Sequence, residues 1–289
     1  MVRRRSSLDG PALALVLVTA SLAVLAGSHS PAEASPSEGS SCRLHLLGAQ
    51  TGGTLDDPCP GIRPGAWIES SQGRCTINFI FSDKRRIYAG TAGHCVKPGE
   101  VVNSLSLERP IGRVAFRVKR SYFHDFALIA VYPELQAEVD SEACSWKGPT
   151  DIASGPQPDL SEVRHMGYGY GLGYVPTTER GQPLTYARRG IAPHLKDPGE
   201  MHFVGTVAPG DSGSGAYLAD GRALGVITVL EASVSTWDGV QGSVGGGRLD
   251  ALMKLVSHRM GNPLYLVTSD GRLVSPRSDP NSSSRQGGW

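Results

Sequence analysis

This chain is short of net charge: 28 Lys and Arg stand against 27 Asp and Glu, a formal net charge of +1 in 289 residues. So balanced a surface lacks the basic stripe that holds a phosphate backbone, and no nucleic-acid partner is expected. Long hydrophobic runs are missing too. The longest, Ala12 to Ala26, is interrupted only by Thr19 and Ser21 and spans about 15 residues, short of the roughly 20 a membrane-crossing helix needs, so no permanent membrane anchor is expected. No repeat of 20–50 residues is visible, which excludes solenoids and propellers. His45, His165, His194, His202 and His258 lack metal-ligand spacing with any partner, so neither a metal nor a cofactor is expected. Aromatic residues are also few, at 7%.

Glycine and proline, by contrast, are plentiful, with 37 and 20 copies, as a fold of many short strands and reversals requires. With 39% hydrophobic residues the chain can bury a substantial core in one or two domains. Short apolar or alternating runs recur between turn signals: Cys75–Phe81, Arg86–Ala92, Arg113–Lys119, Phe126–Tyr132, Val163–Tyr168, Ala216–Ala219, Arg222–Val229 and Val240–Gly245. Asp220-Gly221 predicts a tight hairpin between two of them. Leu249–Val256 has helical spacing, and Leu264–Val267 with Leu273-Val274 flank a turn at Ser269-Asp270-Gly271. The last residues, 276–289, are polar and rich in Pro, Ser and Gly, and are expected to be disordered.

Residues 1–34 carry three arginines, the apolar run and a small-residue site at Ala32-Glu33-Ala34, the pattern of a cleaved export signal. The remaining chain then holds 25 basic and 25 acidic residues. Residues 35–64, rich in Ser, Gly and Pro, read as an arm or pro-segment, and folding is expected from about residue 65. A secreted, extracellular destination makes Cys42, Cys59, Cys75, Cys95 and Cys144 disulfide candidates, with one left over. Cys75 with Cys95 is the best pair, because it would tie the Cys75–Phe81 run to the residue directly after His94. A local Cys42–Cys59 pair is one alternative for the others.

Three stretches carry chemistry, in this order: Thr91-Ala92-Gly93-His94-Cys95, His124-Asp125-Phe126-Ala127-Leu128-Ile129 and Gly210-Asp211-Ser212-Gly213-Ser214-Gly215. A serine hydroxyl is a weak nucleophile until a base takes its proton, and His94 is the candidate base for Ser212. Asp125, heading an apolar strand, is placed to accept the other ring N–H and hold the tautomer. The glycine-rich turn frees the N–H groups of Gly210 and Ser212 to face an oxyanion. Each stretch alone has a plainer reading, as a turn or a core histidine.

The order His, Asp, Ser behind an export signal resembles the chymotrypsin-type serine peptidases, the secreted bacterial branch above all. The resemblance runs from about Ala66 to Val256. It implies an all-β fold of two six-stranded antiparallel Greek-key barrels, at about 65–145 and 155–260 within a 65–260 domain. An active-site cleft lies between them, a short C-terminal helix closes the fold, and residues 261–289 form a partly disordered extension. It implies a monomeric serine endopeptidase acting on protein or peptide substrates. A pocket base near Thr206 and a wall at Thr228 and Leu230 follow by counting from Ser212; with no acidic residue there, a neutral side chain at the cleaved bond is expected. Gly167-Tyr168-Gly169 matches a Gly-aromatic-Gly turn of the second barrel. Cys144 would reach back to Cys42 or Cys59.

Two departures stand out. Ser214 replaces the second glycine of the usual Gly-Asp-Ser-Gly-Gly, and no Ile-Val-Gly-Gly sequence exists to free an amine for Asp211. A buried, unpaired Asp211 would be costly, and Arg164 is the expected partner. An inactive homologue acting as a binding module is the first rival reading, opposed by the intact triad residues. An esterase on an α/β-hydrolase fold is the second; Ser214 spoils its Gly-x-Ser-x-Gly motif, and only His258 follows the serine.

Overall fold

The computed structural model describes residues 61–143, 146–155, 160–167, 187–192, 199–207, 209–236 and 239–276. The expected export signal, residues 35–60 of the expected arm, Cys42, Cys59, Cys144, His45, His194, Tyr168, Gly169 and residues 277–289 lie outside these stretches. No helix among the described residues is long and apolar enough to cross a membrane.

Seven strands form the first half: β1 (Trp67–Ser70), β2 (Gly73–Thr76), β3 (Ile80–Ser82), β4 (Ile87–Thr91), β5 (Val101–Ser104), β6 (Arg109–Lys119) and β7 (Asp125–Val131). They are ordered β3-β4-β7-β6-β5-β1-β2. Because β2 and β3 are two ends of one run, Gly73–Ser82, that run stands at both ends of this order, and the sheet curls round as a barrel of six chain crossings with its ladder interrupted between β2 and β3. The second half is a closed barrel of β8 (Ser161–Met166), β9 (Ala187–Ala192), β10 (Glu200–Val207), β11 (Gly215–Leu218), β12 (Ala223–Thr236) and β13 (Gly239–Arg248), ordered β10-β13-β12-β11-β8-β9. Counted in chain order, both barrels run first-second-third-sixth-fifth-fourth. All of their strand pairs are antiparallel. The expected class, two six-stranded antiparallel barrels with one short helix, is the one observed.

Between β2 and β3 the regular ladder is interrupted: Thr76 N–H donates to Ser212 O at 3.0 Å and Thr76 O accepts from the Thr91 hydroxyl, while Asn78 N–H donates to Gly90 O and Gly90 N–H to Phe79 O, two residues opposite one. The single strand expected over Cys75–Phe81 is therefore two.

Apolar side chains segregate into three cores. Trp67, Val102, Ile111, Ala127 and Ile129 fill the first barrel, and Val163, Met201, Phe203, Leu224 and Val244 fill the second. A third cluster joins the outer faces: Phe79, Phe81, Phe126, Leu128, Tyr217 and Val226 pack with Leu249, Leu252, Met253 and Val256 of helix α1 (Leu249–Met260). Strand β7 reads as a continuous apolar run because one face enters the barrel and the other this seam. Helix α1 passes the expected end at Val256 and stops where Gly261 takes a left-handed conformation, φ +68°.

The region after residue 260 corrects the expected boundary. Strands β14 (Tyr265–Val267) and β15 (Leu273–Val274) pair with each other, and β14 pairs with β3, so this hairpin belongs to the first sheet. The inter-barrel connection helps hold it, through Ser269 N–H on Pro149 O and the Arg272 guanidinium on Thr150 O.

Candidate active site

His94 lies on a short 3-10 turn, Gly93–Cys95, directly after β4, and Asp125 is the first residue of β7, which pairs with β4. Asp125 is 6% exposed and takes two hydrogen bonds from one residue: the backbone N–H of His94 donates to Oδ1 and ring Nδ1–H to Oδ2, each at 2.7 Å. Two donors on one carboxylate fix both the turn and the ring, and leave Nε2 as the free ring nitrogen. The Arg117 guanidinium anchors the same turn by donating to Gly93 O at 2.7 Å.

Cys75 and Cys95 are joined by a disulfide with Cα atoms 6.1 Å apart. It ties β2 to the residue after His94. Among the described residues Cys75, His94 and Cys95 form the one grouping with metal-ligand proximity, and the disulfide occupies both sulfurs.

Ser212 sits in the turn from Pro209 to Ser214 that links β10 to β11. Gly210 and Gly213 take φ +102° and +89°, and a Cβ on Gly213 would lie 2.3 Å from Thr91 Oγ1, so only glycine fits there. Barrel one holds this turn: Thr76 N–H and its hydroxyl donate to Ser212 O and Gly210 O at 3.0 and 2.8 Å, and Cys95 Sγ lies 3.7 Å from Ser212 O. The N–H groups of Gly213 and Ser214 are spent on Ile227 O and Asp211 O. Those of Gly210 and Ser212 have no acceptor among the described residues. No hydrogen bond joins the Ser212 hydroxyl to the His94 ring there either, a looseness common where catalytic contacts tighten only around substrate.

The expected partner of Asp211 is corrected. Asp211, 1% exposed, pairs with Arg188 of β9, whose side chain is 3% exposed. Arg164 instead binds Glu162 at 2.6 Å. Arg164 and Arg188 lie on adjacent, paired strands, but Arg188 is opposite the buried His165, whereas Arg164 is opposite Arg189, whose side chain is 72% exposed. The arginine on the inward face reaches the carboxylate. Gly167 closes the other side, since a Cβ there would stand 2.4 Å from Asp211 Oδ1.

Thr206, Thr228 and Leu230 lie on β10 and β12. The Thr206 side chain is outside the described residues. The Thr228 hydroxyl donates to Tyr122 O, and Leu230 is half-buried against the second core. The sequence did not single out Arg188, Thr76 or Tyr122.

No protein-family model matches the chain, and no curated protein matches it. Among solved structures, it is similar to Thermobifida fusca Protease A, with 18% identity over 70% of this chain and 97% of that one, at a TM-score of 0.48. A chymotrypsin from Cellulomonas bogoriensis matches at 18% identity over 70% and 97%, with a TM-score of 0.46. A glutamic acid specific serine protease matches at 16% identity over 71% and 100%, with a TM-score of 0.48.

Proposed function

We propose that the chain is a secreted serine endopeptidase that cleaves peptide bonds through an acyl-enzyme. The observation that carries this reading is the double grip of Asp125 on His94, on a turn whose last residue, Cys95, lies with its Sγ 3.7 Å from Ser212 O of the other barrel. Ser212 Oγ attacks the scissile carbonyl while His94 Nε2 takes its proton, and Asp125 stabilises the imidazolium. The tetrahedral oxyanion accepts hydrogen bonds from the Gly210 and Ser212 N–H groups, each worth about 2.7–4 kcal/mol by comparison with similar donors. Collapse expels the amine, which receives the proton from His94, and water, deprotonated by the same ring, releases the acid. Arg188 serves as the internal cation that keeps Asp211, and with it the Ser212 turn, in place.

Thr206 and the backbone beside Thr228 and Leu230 would border the pocket for the substrate side chain. The test is a labelled fluorophosphonate, which phosphonylates an activated serine with loss of fluoride. Labelling at Ser212 that disappears in Ser212→Ala and His94→Ala is expected. A folded wild-type chain that takes no label would overturn the reading and leave a binding module in its place.

A further inference from the structure

Ser212 belongs to the second barrel and the His94–Asp125 pair to the first, so the reaction needs the barrels held in register. Thr76 and Cys95 supply one contact, at the serine turn. A second lies at the opposite member of the triad. Strands β6 and β7 end in a tight hairpin closed by Arg120 N–H on His124 O at 3.0 Å, with Lys119 paired to Asp125. Its tip, Ser121–Phe123, lands on three strands of the second barrel. The Tyr122 hydroxyl donates to Glu200 Oε2 of β10 at 3.3 Å, and the Thr228 hydroxyl of β12 donates to Tyr122 O. Phe123 O packs on Gly247 of β13, where a Cβ would come within 2.3 Å of it.

Glu200 is itself held. His202 Nε2 lies 3.2 Å from the same Oε2, and its ring stands at 76° to Tyr122, with centroids 5.9 Å apart. His202 and Glu200 side chains are only 14% and 20% exposed although they lie on the outer face of their strand, because the hairpin tip covers them.

We propose that Tyr122 is a positioning residue: clamped by Glu200 and Thr228, it sets where Asp125, three residues along the hairpin, stands relative to the Ser212 turn. This rests on the peptidase reading. A rigid two-strand hairpin transmits a shift at its tip to Asp125, and from there through both 2.7 Å bonds to His94. Tyr122→Phe deletes one hydroxyl and keeps the ring and the carbonyl that Thr228 holds.

The test is the rate of fluorophosphonate labelling in Tyr122→Phe, Glu200→Ala, Glu200→Gln and the Tyr122→Phe/Glu200→Ala double variant, with melting curves for each. Tyr122→Phe and Glu200→Ala are expected to label about tenfold more slowly, within the roughly hundredfold that a 1 Å misplacement can cost. Glu200→Gln keeps an acceptor oxygen and should label within about twofold of wild type, and the double variant should be no slower than either single one. Folded Tyr122→Phe and Glu200→Ala that label at the wild-type rate overturn the proposal, as does a Glu200→Gln as slow as Glu200→Ala. If Tyr122→Phe does not fold, the two Glu200 variants decide. A wild type that takes no label removes the peptidase reading and this inference together; unslowed variants of a labelling wild type remove this inference alone.

Discussion

The Arg188–Asp211 pair offers the sharpest perturbation, because sequence and structure name different arginines. Both members are almost wholly out of water, with side chains 3% and 1% exposed. Replacing Arg188 by Met keeps most of its volume and removes the cation that meets this buried carboxylate. Removing one partner of such a pair costs about 3–5 kcal/mol. For a domain of this size each kcal/mol lowers Tm by roughly 2–4 °C, so Arg188→Met should melt about 6–20 °C below wild type. Arg164→Met breaks an ion pair whose members are 28% and 35% exposed, worth about 0–1 kcal/mol, and should hardly move Tm. Adding Asp211→Asn to Arg188→Met removes the carboxylate charge as well and should recover more than half of the loss. Calorimetric or fluorescence melts of the four proteins read this directly. If Arg188→Met melts with wild type while Arg164→Met falls, the assignment of the buried cation is wrong. If the double variant melts no higher than Arg188→Met, the carboxylate charge is not the cause.

Asp125→Asn should fold and keep substrate affinity while turnover falls about 10⁴-fold, since the amide can hold the ring in the wrong tautomer; single-turnover acylation measures it. Cys75→Ser/Cys95→Ser opens a link between residues 20 apart and should cost about 3 kcal/mol in urea unfolding. Burial, together with the hydrogen bond to Asp83 and its charge, pushes Tyr88 up to about 12. Burial alone would raise Asp83, but it is outweighed by the N–H groups of Arg85 and Arg86 and the Tyr88 hydroxyl, which hold that carboxyl below its usual range. A raised tyrosine stabilises the fold below its unfolded value near 10 and loses that contribution as pH rises through about 12. The loss of stability between those values should be smaller in Tyr88→Phe than in wild type, as followed by circular dichroism, the remainder coming from the buried Tyr217, which burial also raises.

The strand register of this protein was legible wherever one face is apolar and the other polar, or where both faces are buried. Phe126–Tyr132 was readable for the second reason, and Arg86–Ala92 as a short apolar run. Strand β9 was not, because Ala187–Ala192 places Arg188 inward and Ile191, 56% exposed, outward, which inverts the usual signal. Strand β10 exposes Val204 at 59% beside buried Phe203, and its alternation vanishes for the same reason. The hairpin at Asp220-Gly221 was legible because its turn chemistry is local: Gly221 takes φ +84° and its N–H donates to Leu218 O.

What the sequence by itself determined is local. It fixed the three motifs and their order, the disulfide next to His94 and the helix before Gly261, because glycine conformation, strand alternation and helical spacing act over a few residues. Which arginine meets Asp211, how Thr76 holds the serine turn, and how Tyr122 joins Glu200 were decided only by the tertiary structure. Those partners are 23, 134 and 78 residues apart in the chain. A buried charge must be met by whichever cation the barrel turns inward, and that direction follows from strand register, to which side chains of both barrels contribute at once.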